Sequence, residues 1–505
     1  MNEKRHIWAQ QALREGRFSD AEQTYYQIIE EDPKDADGHF HLAALQLRRS
    51  ANTEALQSIG QAIKCDPNDA RHHVAHGQIL NEQKNTEAAE AAFEKALTIE
   101  PNNADAYTNL GSMLFEVGRY EDAEFMLRKA LLYHPKHTPA AIQLGRVLLR
   151  LYRVEEAVSL FHAVLQFYPN DANALVNIGV GCSLLGDLAS AREAFETALI
   201  NDPENIEAHV NYAHLLLLEG DFENGYREHE WRLKKTGYRD LSDFKSAMWE
   251  NQDITGKTIL LWAEQGLGDA LQFIRYAPLV AETPARVIVE CNPIIHELIS
   301  KMPGVDQVVD LNLGQGYDLH LPLMSLPLKY GMSHGSNYFP YLTPPAATDF
   351  GTKQRLRVGL NWAGNPEHAR DRERSRRLSE FAPITTVPNI DFYSIQIGPA
   401  SAQLKDTTIQ IIDLENSLKT MSDTAAAMCA LDLVISIDSA PAHLAGALDI
   451  PVWLLLTKVP DWRWGLEKET TPLYRSMRIF REQNGWEDVF ARVAAALIEF
   501  SSPSR

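Results

Sequence analysis

ADAYTNLGSMLFEVGRYEDAEFMLRKALLYHPKH, residues 104–137, is one period of a pattern that runs through the first half of the chain. Its proline, Pro135, has counterparts at Pro33, Pro67, Pro101, Pro169 and Pro203, each 34 residues from the next. Counting by that interval gives units beginning at residues 2, 36, 70, 104, 138 and 172, with a seventh near 206. Two helices and their turns fit in such a unit, so the spacing predicts a stack of helical hairpins. Each proline marks the end of a second helix, because the residue before a proline is pushed out of the α region.

Sterically constrained positions repeat with the same period. The second helix carries Ala21, Ala55, Ala89, Ala123, Ala157 and Ala191, where two closely crossing helices leave room for little more than a methyl group. The first helix carries Gly77, Gly111, Gly145 and Gly179, with Ala9, Ala43 and Ala213 in the other units, for the same reason. Tyr25, Ile59, Phe93, Leu127, Phe161 and Phe195 fill the space between helices. This pattern resembles tetratricopeptide repeats over residues 1–237. In the seventh unit the alanine position becomes Gly225 and the proline is missing; the charged segment 221–235 suits a capping or junction helix.

Repeats of this kind line a concave surface with their first helices. Asn109, Gln143, Asn177 and Asn211 occupy one position there in the last four units, against Ile7, His41 and Ala75 in the first three. An amide both donates and accepts, so a ladder of amides can hold a peptide backbone of any sequence. The row resembles the asparagine ladder of O-GlcNAc transferases, which implies a protein or peptide partner. Amides that merely solvate the groove are the other reading.

The 505 residues carry a net charge of −20, which argues against broad binding to nucleic acid or anionic membrane. Cys65, Cys182, Cys291 and Cys429 lie far apart without metal-ligand spacing and read as reduced. The first residues lack the apolar core of a signal peptide, and no apolar run is long enough for a membrane span. A cytoplasmic protein is expected.

After Gly237 the period stops and short β runs alternate with helices. TGKTILLWAEQ (255–265), ARVIVEC (285–291), 305–310 and YDLHL (317–321) form one set; RLRVGLNWAGN (355–365), DFYSIQI (391–397), LDLVISI (431–437) and PVWLLL (451–456) form another. A looser, proline-rich stretch at 339–350 separates them. This predicts an α + α/β chain: an α-solenoid followed by two Rossmann-like lobes, 255–345 and 354–500, with a ligand at the carboxyl ends of the strands.

Three constellations fall at such strand ends. Gly266-Leu267-Gly268-Asp269 follows the first strand; two glycines let the backbone approach a ligand, and Asp269 is either a helix cap or a general base. Residues 353–377 hold eight Lys/Arg against three Asp/Glu, with Asn365, His368, Arg374 and Ser375 in a loop that is either a solvated, internally paired segment or a phosphate site. Asp438-Ser439-Ala440-Pro441-Ala442-His443 opens a helix whose N-terminus suits an anion, and His443 is either structural or a hydrogen-bond donor to a ligand. The segment Pro460–Trp464 lies past another strand end and can stack on a base or sugar, or pack the lobe.

DLVISIDSAPAHLAGALDIPVWLL resembles the nucleotide-binding segment of heptosyltransferase-like GT-B glycosyltransferases, and GLGDALQF resembles their amino-terminal glycine-rich turn. The resemblance covers about residues 255–500. It implies Asp269 as catalytic base, and Gly266, Gly268, Asn365, His368, Arg374, Ser375, Asp438, Ser439, Ala440 and His443 as donor-binding residues. Two departures stand out: Ser439 replaces the family's threonine, and the first lobe is short, so acceptor recognition falls to the repeats. Such enzymes need no metal, and the α/β half has no DxD motif. The expected function is metal-independent transfer of a sugar from a nucleotide-sugar to a hydroxyl, with Asn109, Gln143, Asn177 and Asn211 holding a protein acceptor. An inactive scaffold, or a transferase acting on lipid or polysaccharide, are the alternatives.

Overall fold

The computed structural model describes residues 2–235, 239–312, 315–331, 339–368 and 370–502. Gly237, the end of the periodic half, and Ala369, in the basic loop, lie outside these residues. First helices of the repeat units run over Asn2–Arg14, Ala36–Arg48, Ala70–Glu82, Ala104–Glu116, Thr138–Arg150, Ala172–Leu185 and Ile206–Glu219. All six second-helix alanines are fully buried, as are Tyr25, Ile59, Leu127 and Phe161. A Cβ on Gly77 would stand 2.5 Å from the Phe93 ring, one on Gly111 2.7 Å from Leu127 Cγ, and one on Gly145 2.3 Å from the Phe161 ring. In these three units the small residue of the first helix is therefore matched to the bulky residue sixteen positions on.

The turns carry a second periodic device. Asp35, Asn103, His137, Asp171 and Asn205 each accept a hydrogen bond from the backbone N–H three residues later, satisfying an orphan donor at the start of a first helix.

The chain forms two compact units, divided between Cys182 and Ser183. The last repeat helices thus belong with the α/β half. Leu217, Leu218 and Tyr226 join Ile259, Leu271 and Phe273 in one core, and Gly225 leaves space for Leu217, whose Cγ would be 2.7 Å from a Cβ there.

The α/β half contains two wholly parallel sheets. Strands β1 (Thr258–Trp262), β2 (Arg286–Glu290), β3 (Gln307–Val309) and β4 (Leu319–Pro322) lie in the order β3-β2-β1-β4. Strands β5 (Leu356–Asn361), β6 (Ile390–Ser394), β7 (Ile412–Asp413), β8 (Leu433–Ile437), β9 (Val452–Leu456) and β10 (Met477–Arg481) lie in the order β10-β9-β8-β5-β6-β7. Strand order reverses between β1 and β4 in the first sheet and between β5 and β8 in the second, and crevices open at such switch points. Alternate residues feed opposite cores: Val434, Val452 and Leu454 face the first sheet's core, whereas Leu433, Ile435 and Leu455 pack with Phe381, Phe490 and Leu497. Buried Arg275 ties the lobes by donating to the carbonyls of Gln272 (2.7 Å) and Leu473 (2.7 Å).

Candidate functional site

The two switch points have different fates. At the first, Glu264, just past β1, is wholly buried and receives both ends of the Arg232 guanidinium, at 2.7 and 2.9 Å. Arg232 comes from the short 3-10 helix Glu230–Lys234 after the last repeat, and also donates to Glu230 (2.6 Å) and Ser325 (2.8 Å). Coulombic attraction to Glu264 and Glu230 more than offsets the cost of burying this cation. The junction segment itself therefore places a paired cation at the ends of β1 and β4.

The second switch point is held by a buried amide. Asn361, the last residue of β5, accepts from Ser439 Oγ at 2.7 Å and Ser436 Oγ at 3.1 Å, and donates to Gln396 Oε1 at 2.9 Å. Gln396 Oε1 also accepts the backbone N–H groups of Trp362 (3.1 Å) and Ala363 (2.9 Å). The Ser439 hydroxyl is thus committed to fixing the loop after β8. Beyond it the helix Ala440–Ala447 begins, with His443 buried one turn in. The imidazole shares a 2.8 Å hydrogen bond between Nδ1 and the Tyr474 hydroxyl and stacks on Trp464 at 5.2 Å. Burial, with Arg463 and Arg275 nearby, drives its pKa down to about 3, so the ring is neutral.

The glycine-rich turn of the first lobe meets this helix. Gly268 lies against the His443 ring and Ala440. Asp269 stands in the first turn of the helix Leu267–Phe273, where Oδ2 accepts the Gly266 N–H at 3.0 Å. Its other oxygen is ion-paired with Arg463 from the second lobe. Arg463 further donates to Asp461 (2.8 Å) and to Gln272 Oε1 (2.8 Å), and its side chain is 9% exposed. Burial would raise Asp461, but Arg463 holds it down at about 2. Asp438, by contrast, is pushed up to about 6 by burial and by Asp461, against the pull of Arg374 and Arg463. His214, from the last repeat's first helix, lies within electrostatic reach of Asp461 and Arg463, and burial lowers its pKa to about 4.

The basic loop divides its cations. Arg370 is held by Glu373 and by the Val459 carbonyl (2.7 Å), and Arg376 donates to the carbonyls of Ser375, Arg372 and Glu373. Arg374 donates to the Asp438 carbonyl at 3.1 Å and packs over Gly364. Ser375 bridges Gly364 N–H and Asp371. Among the described residues Arg372 and Arg377 make no ion pair, and with Arg376, Gly364 and Gln403 they line a cavity of about 420 Å³. Asn365 and His368 are exposed in the same loop, each accepting a backbone N–H two residues on.

The amide row is partly engaged. Asn109, Asn177 and Asn211 each donate to the carbonyl four residues earlier, at 2.7–2.8 Å, while Gln143 accepts from Arg146 at 3.0 Å. Asn109 also accepts from Gln78 at 3.0 Å, linking neighbouring units.

Arg463, Asp461, His214 and Asn361 are absent from the residues singled out individually in the sequence. Arg463 and Asp461 fall inside the Pro460–Trp464 segment, whereas nothing local marks His214. No helix among the described residues is long and apolar enough to cross a membrane.

Residues 12–79, 80–132 and 114–176, and separately 185–225, match tetratricopeptide repeat families. Protein FlbA of Caulobacter vibrioides (strain ATCC 19089 / CIP 103742 / CB 15) is 28% identical over 339 residues, 57% of this chain and 54% of FlbA, so the chain spans about half the length of that curated relative. Among solved structures, YrrB, described as a tetratricopeptide repeat protein with an unusual peptide-binding site, is 27% identical over 36% of this chain and 95% of its own, with a TM-score of 0.30. TTC0263, a thermophilic tetratricopeptide repeat protein of Thermus thermophilus, is 18% identical over 36% of this chain and 98% of its own, with a TM-score of 0.33. The helical half of this chain is an array of tetratricopeptide repeats.

Proposed function

We propose that the α/β half is a glycosyltransferase of GT-B type and that the repeats deliver its acceptor, a polypeptide. The observation that carries this reading is the meeting of Asp269, at the first lobe's glycine-rich turn, with Arg463 and the Ala440–Ala447 helix at the second lobe's switch point. Base, cations and a helix N-terminus converge where a nucleoside diphosphate fits a doubly wound sheet. The cavity lined by Arg372, Arg376 and Arg377 offers further cations in the same lobe.

In the transfer step the acceptor oxygen bonds to the anomeric carbon as the bond from that carbon to the diphosphate oxygen breaks. The acceptor proton passes to Asp269, and the electron pair leaves on the diphosphate. Arginine side chains and the helix N-terminus take up that developing charge without a divalent metal. Neutral His443 and the closely packed lobes keep water away. His214 brings the last repeat to the edge of this cluster, which supports delivery of the acceptor by the repeats.

One observation favours a second reading. Asp269 is already ion-paired, as a purely structural carboxylate would be. A scaffold with inactive lobes then acts only through its repeats. A thermal-shift screen against nucleotide-sugars, followed by incubation of the labelled donor with cell lysate, separates the two. The transferase reading expects one donor to raise the melting temperature and label to appear on protein. It expects Asp269→Asn to abolish labelling while the protein stays folded. No stabilisation by any donor, and no label, overturns it.

A further inference from the structure

We infer that Arg463 is a contested cation: it latches Asp269 in the unliganded protein and is drawn away by the diphosphate of an incoming nucleotide, which frees the Asp269 carboxylate. This rests on the transferase reading above and adds the order of events at its site.

The geometry is that of a shared guanidinium. Its Nη2 contacts Asp269 and its Nη1 contacts Asp461 at 2.8 Å, while Nε is on Gln272. Two of these partners belong to the first lobe and one to the second, so Arg463 bridges the lobes at the point where Gly268 touches His443. Three carboxylates, Asp269, Asp438 and Asp461, surround two guanidinium groups, Arg463 and Arg374. Every cation at the switch point therefore already has an anionic or carbonyl partner. An incoming diphosphate must displace one of those partners.

Asp269 is the partner most easily displaced. Asp461 lies two residues from Arg463 on the same turn and also accepts its backbone N–H at 3.1 Å, so that pair is fixed locally. The Asp269 pair joins residues 194 positions apart and holds through a single guanidinium nitrogen. A phosphate oxygen competes well for that nitrogen, because guanidinium binds phosphate at least as readily as carboxylate. Asp269 then faces the acceptor as an unpaired base only after the donor is seated. Donor binds first and acceptor second, and until then the base is held in its ion pair.

The test is isothermal titration of the full-length protein with ADP, UDP, GDP and CDP, comparing wild type with Asp269→Asn, Arg463→Gln and Arg463→Lys. If Asp269 competes with the diphosphate, Asp269→Asn tightens binding of the preferred nucleotide by about fivefold. A structural carboxylate gives no change or weaker binding, and that result overturns the latch. Arg463→Gln is expected to weaken binding at least tenfold, and Arg463→Lys to recover part of it. Wild-type binding with an Arg463→Gln constant equal to it sinks the inference and leaves the transferase reading standing. Silence of all four nucleotides on both wild type and Asp269→Asn sinks both. Far-ultraviolet circular dichroism confirms that each variant is folded, and Arg463→Lys keeps the test valid should Arg463→Gln not fold.

Discussion

Gly268 faces His443 across the two lobes: a Cβ on Gly268 would lie 3.0 Å from the imidazole Cδ2 and 3.7 Å from the Ala440 Cα. The missing side chain is what lets the glycine-rich turn seat against the second lobe's helix. Gly268→Val is expected to push the lobes apart here, destabilising the protein by about 1–3 kcal/mol. Urea unfolding measures the loss, and nucleotide titration should show weaker binding in the same variant. Unchanged stability would show that the turn can withdraw without cost.

Asn361 is the hub of a buried polar network that sets the loop after β8. Asn361→Ala removes one hydrogen bond each from Ser439, Ser436 and Gln396, which keep their other partners, so the expected cost is about 1–3 kcal/mol in all. The expected outcome is a clear fall in the urea midpoint together with loss of nucleotide binding. Asn361→Asp should behave no better, because Gln396 Oε1 would then face a carboxylate instead of an amide N–H.

His443 gives the protein an acid sensitivity of known sign. Its folded pKa of about 3 lies below the ordinary histidine value, so the unfolded chain binds a proton that the folded one refuses. Stability is undiminished above the unfolded pKa and falls as pH drops from there toward 3, by about 1.4 kcal/mol per pH unit. Asp438, raised to about 6, opposes this over the upper part of that range, and His214, lowered to about 4, reinforces it. His443→Gln, which keeps a partner for Tyr474, should therefore unfold less steeply with acid than wild type. Parallel stability–pH curves for the two proteins would refute this account.

Arg232 and Glu264 should be inseparable. Arg232→Met strands a wholly buried carboxylate, at a cost of about 3–5 kcal/mol. Adding Glu264→Gln is expected to return a substantial part of that loss. Chemical denaturation of both variants checks it; additive losses would mean that the pair is not coupled.

Shape-driven features were legible because the physics repeats with the sequence. A small residue at Gly145 and a bulky one at Phe161 recur every 34 positions, so one steric rule is written six times. The strands β1, β2, β5, β8 and β9 read as apolar runs for the same local reason. Two escaped: β7 has only two residues, and β10, MRIFR, alternates with arginines and carries little apolar signal. The pairing of Asp269 with Arg463 had no local signature, since 194 residues separate them. The charged segment around Arg232 suited a capping or junction helix, and it is the junction, but nothing local marked the burial of its guanidinium against Glu264. Asn361 did leave a mark, a lone amide ending the apolar run 358–360, and buried polar residues of that kind warrant asking which loop they hold.

The arginine anchored at the first switch point has a consequence for how this molecule can change over evolutionary time. Arrays of repeats ordinarily grow or shrink by whole units, since each unit touches only its neighbours. Here the last unit and its junction carry a buried charge that another fold requires, so that end of the array is closed to duplication or deletion. Lengthening can occur only among the earlier units. A truncation made after Lys234 would not liberate an autonomous α/β half, because it would remove the arginine that pairs with Glu264.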